Sequence, residues 1–179
     1  MSWAAVADLW FLPEQMAITA TSARWFLPFV APICLYVAFT DLREMRITNQ
    51  AVIVLAAIFL VVGLVALPLP VYGWRLVQMV AVLAAGFALS VGGAVGAGDA
   101  KFAAAAAPFV AGGDLRWLMA IFAANLLAAV TTHRVAKYTP LRRIAPGWKS
   151  WNMGWKFPMG MSLGGTLFIY LALGAVYGA

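Results

Sequence analysis

The sequence predicts an all-α, polytopic integral membrane protein with about six transmembrane helices. Of its 179 residues, 65% are hydrophobic and 10% are charged, and the mean hydropathy is +0.93. A composition this apolar is typical of membrane proteins rather than soluble domains. Because a helix needs about 20 mostly apolar residues to cross the hydrocarbon layer, six spans would use most of the chain.

Six apolar runs follow one another along the chain. They cover residues 25–40, 50–67, 74–93, 100–112, 115–132 and 157–177. The fourth run is short for a full span, so it is expected to be tilted, to borrow residues from its neighbours or to start below the membrane surface. Residues 68–73 and 112–114 are rich in Pro and Gly and are predicted turns.

The N-terminal residues are predicted to differ from the rest of the chain. Asp8 and Glu14 interrupt the first apolar stretch, and no basic region precedes it, which argues against a cleavable signal peptide. Residues 1–24 are therefore expected to form an interfacial segment. Residues 25–179 are predicted to form a single transmembrane domain.

The basic residues predict the orientation. If the link after the first span is cytoplasmic, only Arg24, Arg75 and Arg116 lie outside. Since cytoplasmic loops are enriched in Lys and Arg, both the N-terminus and the C-terminus are expected outside. The same enrichment explains the net charge of +6. The positive charge therefore predicts membrane lipids as partners and needs no nucleic acid to account for it. The inner side receives the other basic residues: Arg43, Arg46, Lys101, Arg134, Lys137, Arg142, Arg143, Lys149 and Lys156.

Residue counts exclude several kinds of catalytic chemistry. Cys34 is the only cysteine and His133 is the only histidine, so an internal disulfide, a cysteine zinc cluster and an HExxH site are all excluded. The letters GxSxG occur at 160–164, but they lie in the last predicted apolar span and not at the strand-to-helix elbow that a serine nucleophile requires, and there is no Cys–His pair at a plausible depth. Among protease chemistries an aspartyl mechanism is left, and no cofactor or metal is expected.

Two carboxylates are predicted to lie at the same membrane face. Asp41 ends the first span and Asp99 starts the fourth, and the orientation above puts both on the inner side. Two carboxylates that approach closely share a proton, so that one can act as general base towards water and the other as general acid. Gly96 and Gly98 precede Asp99 in "GAGDAK" and are expected to permit close backbone approach or positive φ angles.

The glycine-rich segment also has a structural alternative. Asp99 is alternatively the N-cap of the fourth span, with Gly98 ending the third. Gly92 and Gly96 have the spacing of a helix-packing face. These alternatives need no catalytic role for the aspartate.

Three motifs resemble the type IV prepilin leader peptidases, which are membrane aspartyl proteases of the GxGD kind. They are "DLREMRITN" at 41–49, "GAGDAKF" at 96–102 and "FPMGMSLGG" at 157–165, in the family's order. The resemblance implies that Asp41 and Asp99 are the catalytic pair. It also implies that the domain of residues 25–179 is a transmembrane peptidase domain.

The resemblance implies site-shaping roles for six further residues. Structural alternatives for four of them are snorkelling for Lys101, helix capping for Asn49, helix-start chemistry for Pro158, and helix packing for Gly160 with Gly164. The six residues are Gly96, Gly98, Lys101, Asn49, Pro158 and Gly160.

The chain departs from the family pattern in two respects. Thr48 stands where the family commonly has proline, so this turn is expected to be less rigid. The large members carry an inserted soluble domain with CxxC pairs that accompanies N-methylation, whereas this chain has one cysteine. It therefore resembles the short, peptidase-only branch that serves tight-adherence (Flp-type) pili, which implies neither methyltransferase activity nor S-adenosylmethionine.

In that family the substrate is a pilin precursor with a positively charged cytoplasmic leader followed by an apolar helix. Cleavage after a glycine at the cytoplasmic boundary releases the leader. The resemblance thus implies a multi-pass enzyme of the bacterial cytoplasmic (inner) membrane, acting in pilus biogenesis, with its active site facing the cytoplasm. The basic, tryptophan-rich segment 133–156 is explained by anionic lipids and interfacial anchoring, and His133 is expected to be interfacial rather than catalytic.

A non-catalytic membrane protein is the competing hypothesis. The chain would then be a scaffold of a pilus or secretion apparatus, with Asp41 paired to Arg43 or Arg46 at the interface. Alternatively it would be a small transporter that uses Asp99 and Lys101 as an intramembrane pair. A transporter is expected to bury charges in the middle of its spans and often to show inverted repeats, whereas the acidic pair here lies at span ends.

Overall fold

The computed structural model describes residues 15–154 and 156–179. It is 82% helical and contains no strand within these residues, which confirms the predicted all-α class. Residues 1–14 of the predicted interfacial segment 1–24 lie outside the described residues. The six α-helices in the described part are α1 (Ala20–Glu44), α2 (Asn49–Ala66), α3 (Leu69–Val91), α4 (Ala97–Ala106), α5 (Leu115–Tyr138) and α6 (Met159–Tyr177).

Five helical segments of the described chain are long and apolar enough to cross a membrane. They are α1, α2, α3, α6 and the segment Gly112–Tyr138 that contains α5. Side chains such as Leu64, Phe87 and Leu127 project outwards from them and are more than half exposed, as expected where lipid rather than water is the solvent. The chain is therefore a multi-pass membrane protein.

The fourth apolar run forms a broken crossing. α4 has only 10 residues, and it continues into a 3-10 turn, Ala107–Phe109, which contains Pro108. Gly98 at its start contacts Ile47 just after α1, whereas Asp114 at its far end binds the backbone before the start of α1. The segment thus runs from one end of the bundle to the other, although no continuous helix spans that distance.

The turns agree with the sequence in one place and differ in another. The predicted turn at 112–114 is confirmed as a single 3-10 turn, Gly112–Asp114. The turn predicted at 68–73 is shorter than expected and is confined to residues 67 and 68, because α2 ends at Ala66 and α3 already begins at Leu69. Pro70 lies at the start of this helix, where the missing N–H of proline costs no hydrogen bond.

The centre of the bundle is the contact between α1 and α6, and α2 also packs against α1. Gly164 makes the close approach possible, since a Cβ at this position would lie 2.8 Å from the carbonyl oxygen of Cys34. The rings of Phe26, Phe59 and Phe109 pack against one another beside this contact. The buried core therefore ties the broken crossing to α1 and α2.

Each end of the bundle brings together distant parts of the chain. The C-terminal end of α1, the start of α4 and the start of α6 lie together at one end. At the other end, the N–H of Met16 donates to the carbonyl of Tyr177 at 3.0 Å, so both ends of the described chain lie on one side. Which side faces the cytoplasm stays a prediction.

Candidate active site

Asp41 lies in the last turn of α1 and is only 5% exposed. Its Oδ2 accepts a hydrogen bond of 2.6 Å from the backbone N–H of Gly160. Just beyond it, Met45 takes a left-handed conformation with φ 57° and its N–H caps the carbonyl of Asp41 at 2.8 Å. The helix thus stops within one turn of the carboxylate, so that the carboxylate lies at the end of the helix bundle.

The start of α6 is shaped around this carboxylate. Pro158 is the N-cap residue and Gly160 is the second residue of the helix, so its N–H is one of the four that have no partner within the helix. A carboxylate is favoured there by the helix dipole. A Cβ on Gly160 would lie 2.9 Å from the Cβ of Asp41 and 3.0 Å from Oδ2, which leaves room only for glycine.

The packing alternative for Gly160 and Gly164 describes the same contact. Gly164 approaches the backbone of α1 one turn further along the helix, and Gly160 approaches the side chain of Asp41. Packing and carboxylate contact are therefore not exclusive, because the close approach of the two helices is what brings the N–H to Asp41.

Asp99 is the third residue of α4 and is half-buried. Its carboxyl lies within electrostatic reach of Asp41. The alternative in which Asp99 is the N-cap is wrong, since Gly96 holds that position. A Cβ on Gly96 would lie 2.8 Å from Oδ2 of Asp99, so the side chain folds back over this glycine.

Neither glycine before Asp99 has a positive φ angle, and only Gly96 provides close approach. Gly96 has φ −63°, and the positive φ of this segment occurs at Gly93 instead, at 75°. Gly98 packs at ordinary distance against Ile47, because a Cβ at position 98 would lie 3.5 Å from the Cβ of that isoleucine. The alternative packing face of Gly92 and Gly96 is wrong, because the first closes α3 and the second precedes α4.

Lys101 and Asn49 meet across two helices. Nζ of Lys101 donates to Oδ1 of Asn49 at 3.2 Å, which links α4 to the start of α2. Asn49 is not the helix cap; Thr48 is, because its hydroxyl accepts from the N–H of Ala51 at 3.3 Å. Thr48 has φ −77°, within the range that proline imposes, so the departure from the family pattern keeps the backbone angle and adds a cap.

The alternative pairing of Asp41 with a nearby arginine is not observed. Arg46 instead pairs with Glu44, at 2.9 Å between Nε and Oε2, and the arginine side chain is 69% exposed. Within the described residues, the hydrogen bond to the Asp41 side chain comes from Gly160. The buried carboxylate is thus held by backbone and not by a cation.

Sequence reasoning missed a second buried carboxylate at the opposite end. Asp114 lies in the predicted turn at 112–114, yet it is 1% exposed. It accepts from the N–H groups of Ala17 and Ile18 at 2.6 and 2.9 Å, and from the hydroxyl of Tyr170 at 2.7 Å. Buried Arg75 lies within electrostatic reach. These partners are distant in sequence, so no local pattern indicated them.

His133 lies at the end of α5 but is 4% exposed. Its ring stacks on Trp151 at 5.0 Å and meets Phe157 edge-on at 5.7 Å. Trp151 also donates from Nε1 to the carbonyl of Ala145 at 2.8 Å. The basic segment is therefore folded over the end of α5, and its aromatic rings lead to the residues just before α6.

The fold and the site together define a class of protein: a multi-pass helical membrane protein with Asp41 and Asp99 at one end of its bundle. The family model described as "Type IV leader peptidase family" matches residues 29–133. The chain belongs to this family, as its motifs predicted, and is a membrane peptidase with a leader peptidase role. No curated protein and no solved structure matches the chain significantly. The matched segment contains Asp41 and Asp99, whereas Pro158 and Gly160 lie beyond it.

Proposed function

We propose that this peptidase is an aspartyl endopeptidase that removes the leader from Flp-type pilin precursors, with Asp41 and Asp99 as its catalytic pair. The observation that carries the proposal is the buried Asp41 carboxylate, which accepts from Gly160 at 2.6 Å and lies within electrostatic reach of Asp99. Buried carboxylates without a cationic partner are costly to maintain. Such groups with mutual interaction are characteristic of catalytic sites.

The two carboxylates can hydrolyse a peptide bond between them. When they share one proton, the ionised carboxylate takes a proton from water as the oxygen attacks the carbonyl carbon. The protonated carboxyl gives its proton to the carbonyl oxygen, which yields a gem-diol. The C–N bond of this intermediate then breaks as one carboxyl gives a proton to the amine and the other takes a proton from a gem-diol hydroxyl, so the pair again holds one proton. No covalent intermediate with the enzyme forms. The hydrogen bond from the Gly160 N–H keeps the Asp41 carboxylate oriented throughout the reaction.

The location of the site supports cleavage at a membrane boundary. Asp41 ends α1 and Asp99 begins α4, and the nine basic residues predicted to be cytoplasmic lie towards this end. We place this end at the cytoplasmic face of the bacterial inner membrane, where the leader of a pilin precursor begins. The chain is proposed to act without S-adenosylmethionine and without methyltransferase activity.

The test is co-expression with a Flp-type pilin precursor, with leader loss measured by mass spectrometry. Asp41→Asn and Asp99→Asn keep the size and polarity of each side chain but remove the titratable group. Each is expected to lower processing at least about a hundredfold, since acid–base groups typically contribute that much. Glu44→Gln is the matched control, because Glu44 lies at the same end in a partly exposed ion pair.

Three results decide between the hypotheses. Loss of processing in both aspartate variants, with normal membrane accumulation and an active control, supports the aspartyl mechanism. Continued processing by either variant contradicts the assigned role of that residue. A wild-type chain that leaves the precursor intact contradicts the proposed substrate.

A further inference from the structure

A cavity of about 390 Å³ lies between α4 and α5, with α3 and α6 completing its walls. α5 packs chiefly against α6, and the cavity separates it from the broken crossing. Leu115 and Met119 of α5 line the cavity and are more than half exposed. The cavity is thus a groove on the side of the bundle that faces the hydrocarbon.

The α4 wall of the groove begins at a proposed catalytic residue. Phe102, Ala103, Ala106 and Ala107 line this wall. They follow Asp99 by three, four, seven and eight positions, which is the spacing of one helix face. The Asp99 side chain therefore lies at the top of the face that forms the wall.

The α6 wall leads to the other proposed catalytic residue. Leu163 and Leu167 line the groove, and they follow Gly160 by three and seven positions on the same helix face. The N–H of Gly160 binds Asp41. The α4 wall thus starts at Asp99, and the α6 wall starts at Gly160, whose N–H binds Asp41.

The polar groups in the groove are already bonded to the protein. Gln78 donates from Nε2 to the carbonyls of Ala107 and Val110 at 2.9 and 3.3 Å. The hydroxyl of Thr166 donates to the carbonyl of Ser162 at 2.7 Å. The lining therefore offers an incoming ligand mainly apolar surface, and three alanines on one wall let a helix backbone approach closely.

We propose that this groove binds the apolar helix of the precursor directly after the bond to be cut. The inference rests on the proposed function. We infer a substrate helix as the occupant because both walls lead from the groove to Asp41 and Asp99, between which the peptide bond would be cut. From Asp99 to Ala107 the wall rises about 12 Å at 1.5 Å per residue. The groove would thus contact about the first two turns of the helix and leave the distal part in lipid.

Photocrosslinking in the membrane tests the proposal. A photoreactive amino acid is introduced at Met119, in the groove, or at Ala124, on the opposite face of the same helix. Asp41→Asn is included to hold the precursor uncut. The expected result is a crosslink from position 119 to the first two turns after the cleavage site, and none from position 124.

Two further variants test whether filling the groove blocks the helix. Ala106→Phe is expected to reduce the crosslink and the processing rate of the otherwise wild-type enzyme at least fivefold. Ala84→Phe, on an exposed face of α3 away from the groove, is expected to change neither. If Ala106→Phe fails to accumulate in the membrane, the crosslink map from position 119 still decides the question.

The outcomes separate this inference from the proposed function. Processing that requires both aspartates, without a crosslink from position 119, overturns the groove assignment and leaves the enzyme assignment intact. Crosslinks from position 119 to lipid alone also overturn it, since the groove would then hold an acyl chain. A wild-type enzyme that does not cut the precursor, with no crosslink, contradicts both.

Discussion

Replacing Gly160 with alanine separates the orientation of Asp41 from the packing of α6. The added methyl group would lie 2.9 Å from Cβ, 3.0 Å from Oδ2 and 3.1 Å from Cγ of Asp41. These distances are shorter than non-bonded contacts allow, so either the carboxylate or the start of α6 must move. The 2.6 Å hydrogen bond from the Gly160 N–H is then lost or lengthened.

The expected effect follows from the worth of that hydrogen bond. A hydrogen bond to a charged group contributes about 1.5–3 kcal/mol, and about 1.4 kcal/mol corresponds to a tenfold change in rate. Gly160→Ala should therefore lower the processing rate about 10- to 100-fold per folded enzyme. The assay is the initial rate of leader removal from a pilin precursor, normalised to the enzyme that elutes as a single species in detergent.

Gly164→Ala is the matched control. Its methyl group would lie 2.8 Å from the carbonyl oxygen of Cys34, so it disturbs the same pair of helices without touching the carboxylate. It is expected to lower thermal stability but to keep most of the activity per folded enzyme. Normal processing by Gly160→Ala, or an equally large loss in Gly164→Ala, would refute the orienting role of the Gly160 N–H.

Three further predictions test other contacts of the bundle. Gly96→Ala, whose methyl would lie 2.8 Å from the second proposed catalytic carboxylate, should slow processing about 2- to 12-fold, because moving a side chain off its rotamer costs about 0.5–1.5 kcal/mol. Gly98→Ala, with 3.5 Å of clearance, should leave the rate unchanged, and the reverse order contradicts the assigned contacts. Asn49→Ala and Lys101→Met should each lower the unfolding free energy by about 0.5–1 kcal/mol. In thermal melts the double variant should be no less stable than either single variant. Additive losses would mean that the 3.2 Å hydrogen bond contributes nothing to stability. Asp114→Asn should lower the unfolding free energy by about 2–3 kcal/mol, since an amide cannot accept from all three donors. Processing per folded enzyme should stay unchanged. A selective loss of processing would contradict a purely structural role for Asp114.

The sequence alone predicted the parts of the structure that depend on local preference. Apolar runs of sufficient length indicate which segments prefer lipid to water, and in the described part of the chain five of the six runs form helices long and apolar enough to cross a membrane. Charge counts sort loops by side because each lysine or arginine carries its own cost of crossing the membrane. The charge pattern therefore predicted Asp41 and Asp99 at the same end before any contact was known. The order of the three motifs predicted the family.

Contacts between distant residues required the tertiary structure. The partner of Asp41 lies 119 positions away in Gly160, and Lys101 reaches Asn49 across 52 positions. Asp114 looked like a loop residue, yet three donors from two other parts of the chain surround it. Such pairs form because helices pack at particular distances and rotations, and hydropathy carries no information on either.

The sequence by itself thus determined the all-α membrane class and, through its motifs, the peptidase family. Tertiary structure alone decided that the fourth crossing is a short helix followed by a 3-10 turn, and that a backbone N–H rather than an arginine holds Asp41. The physical reason is that burial preference belongs to each residue, whereas the donor available to a buried carboxylate depends on which helix packs beside it.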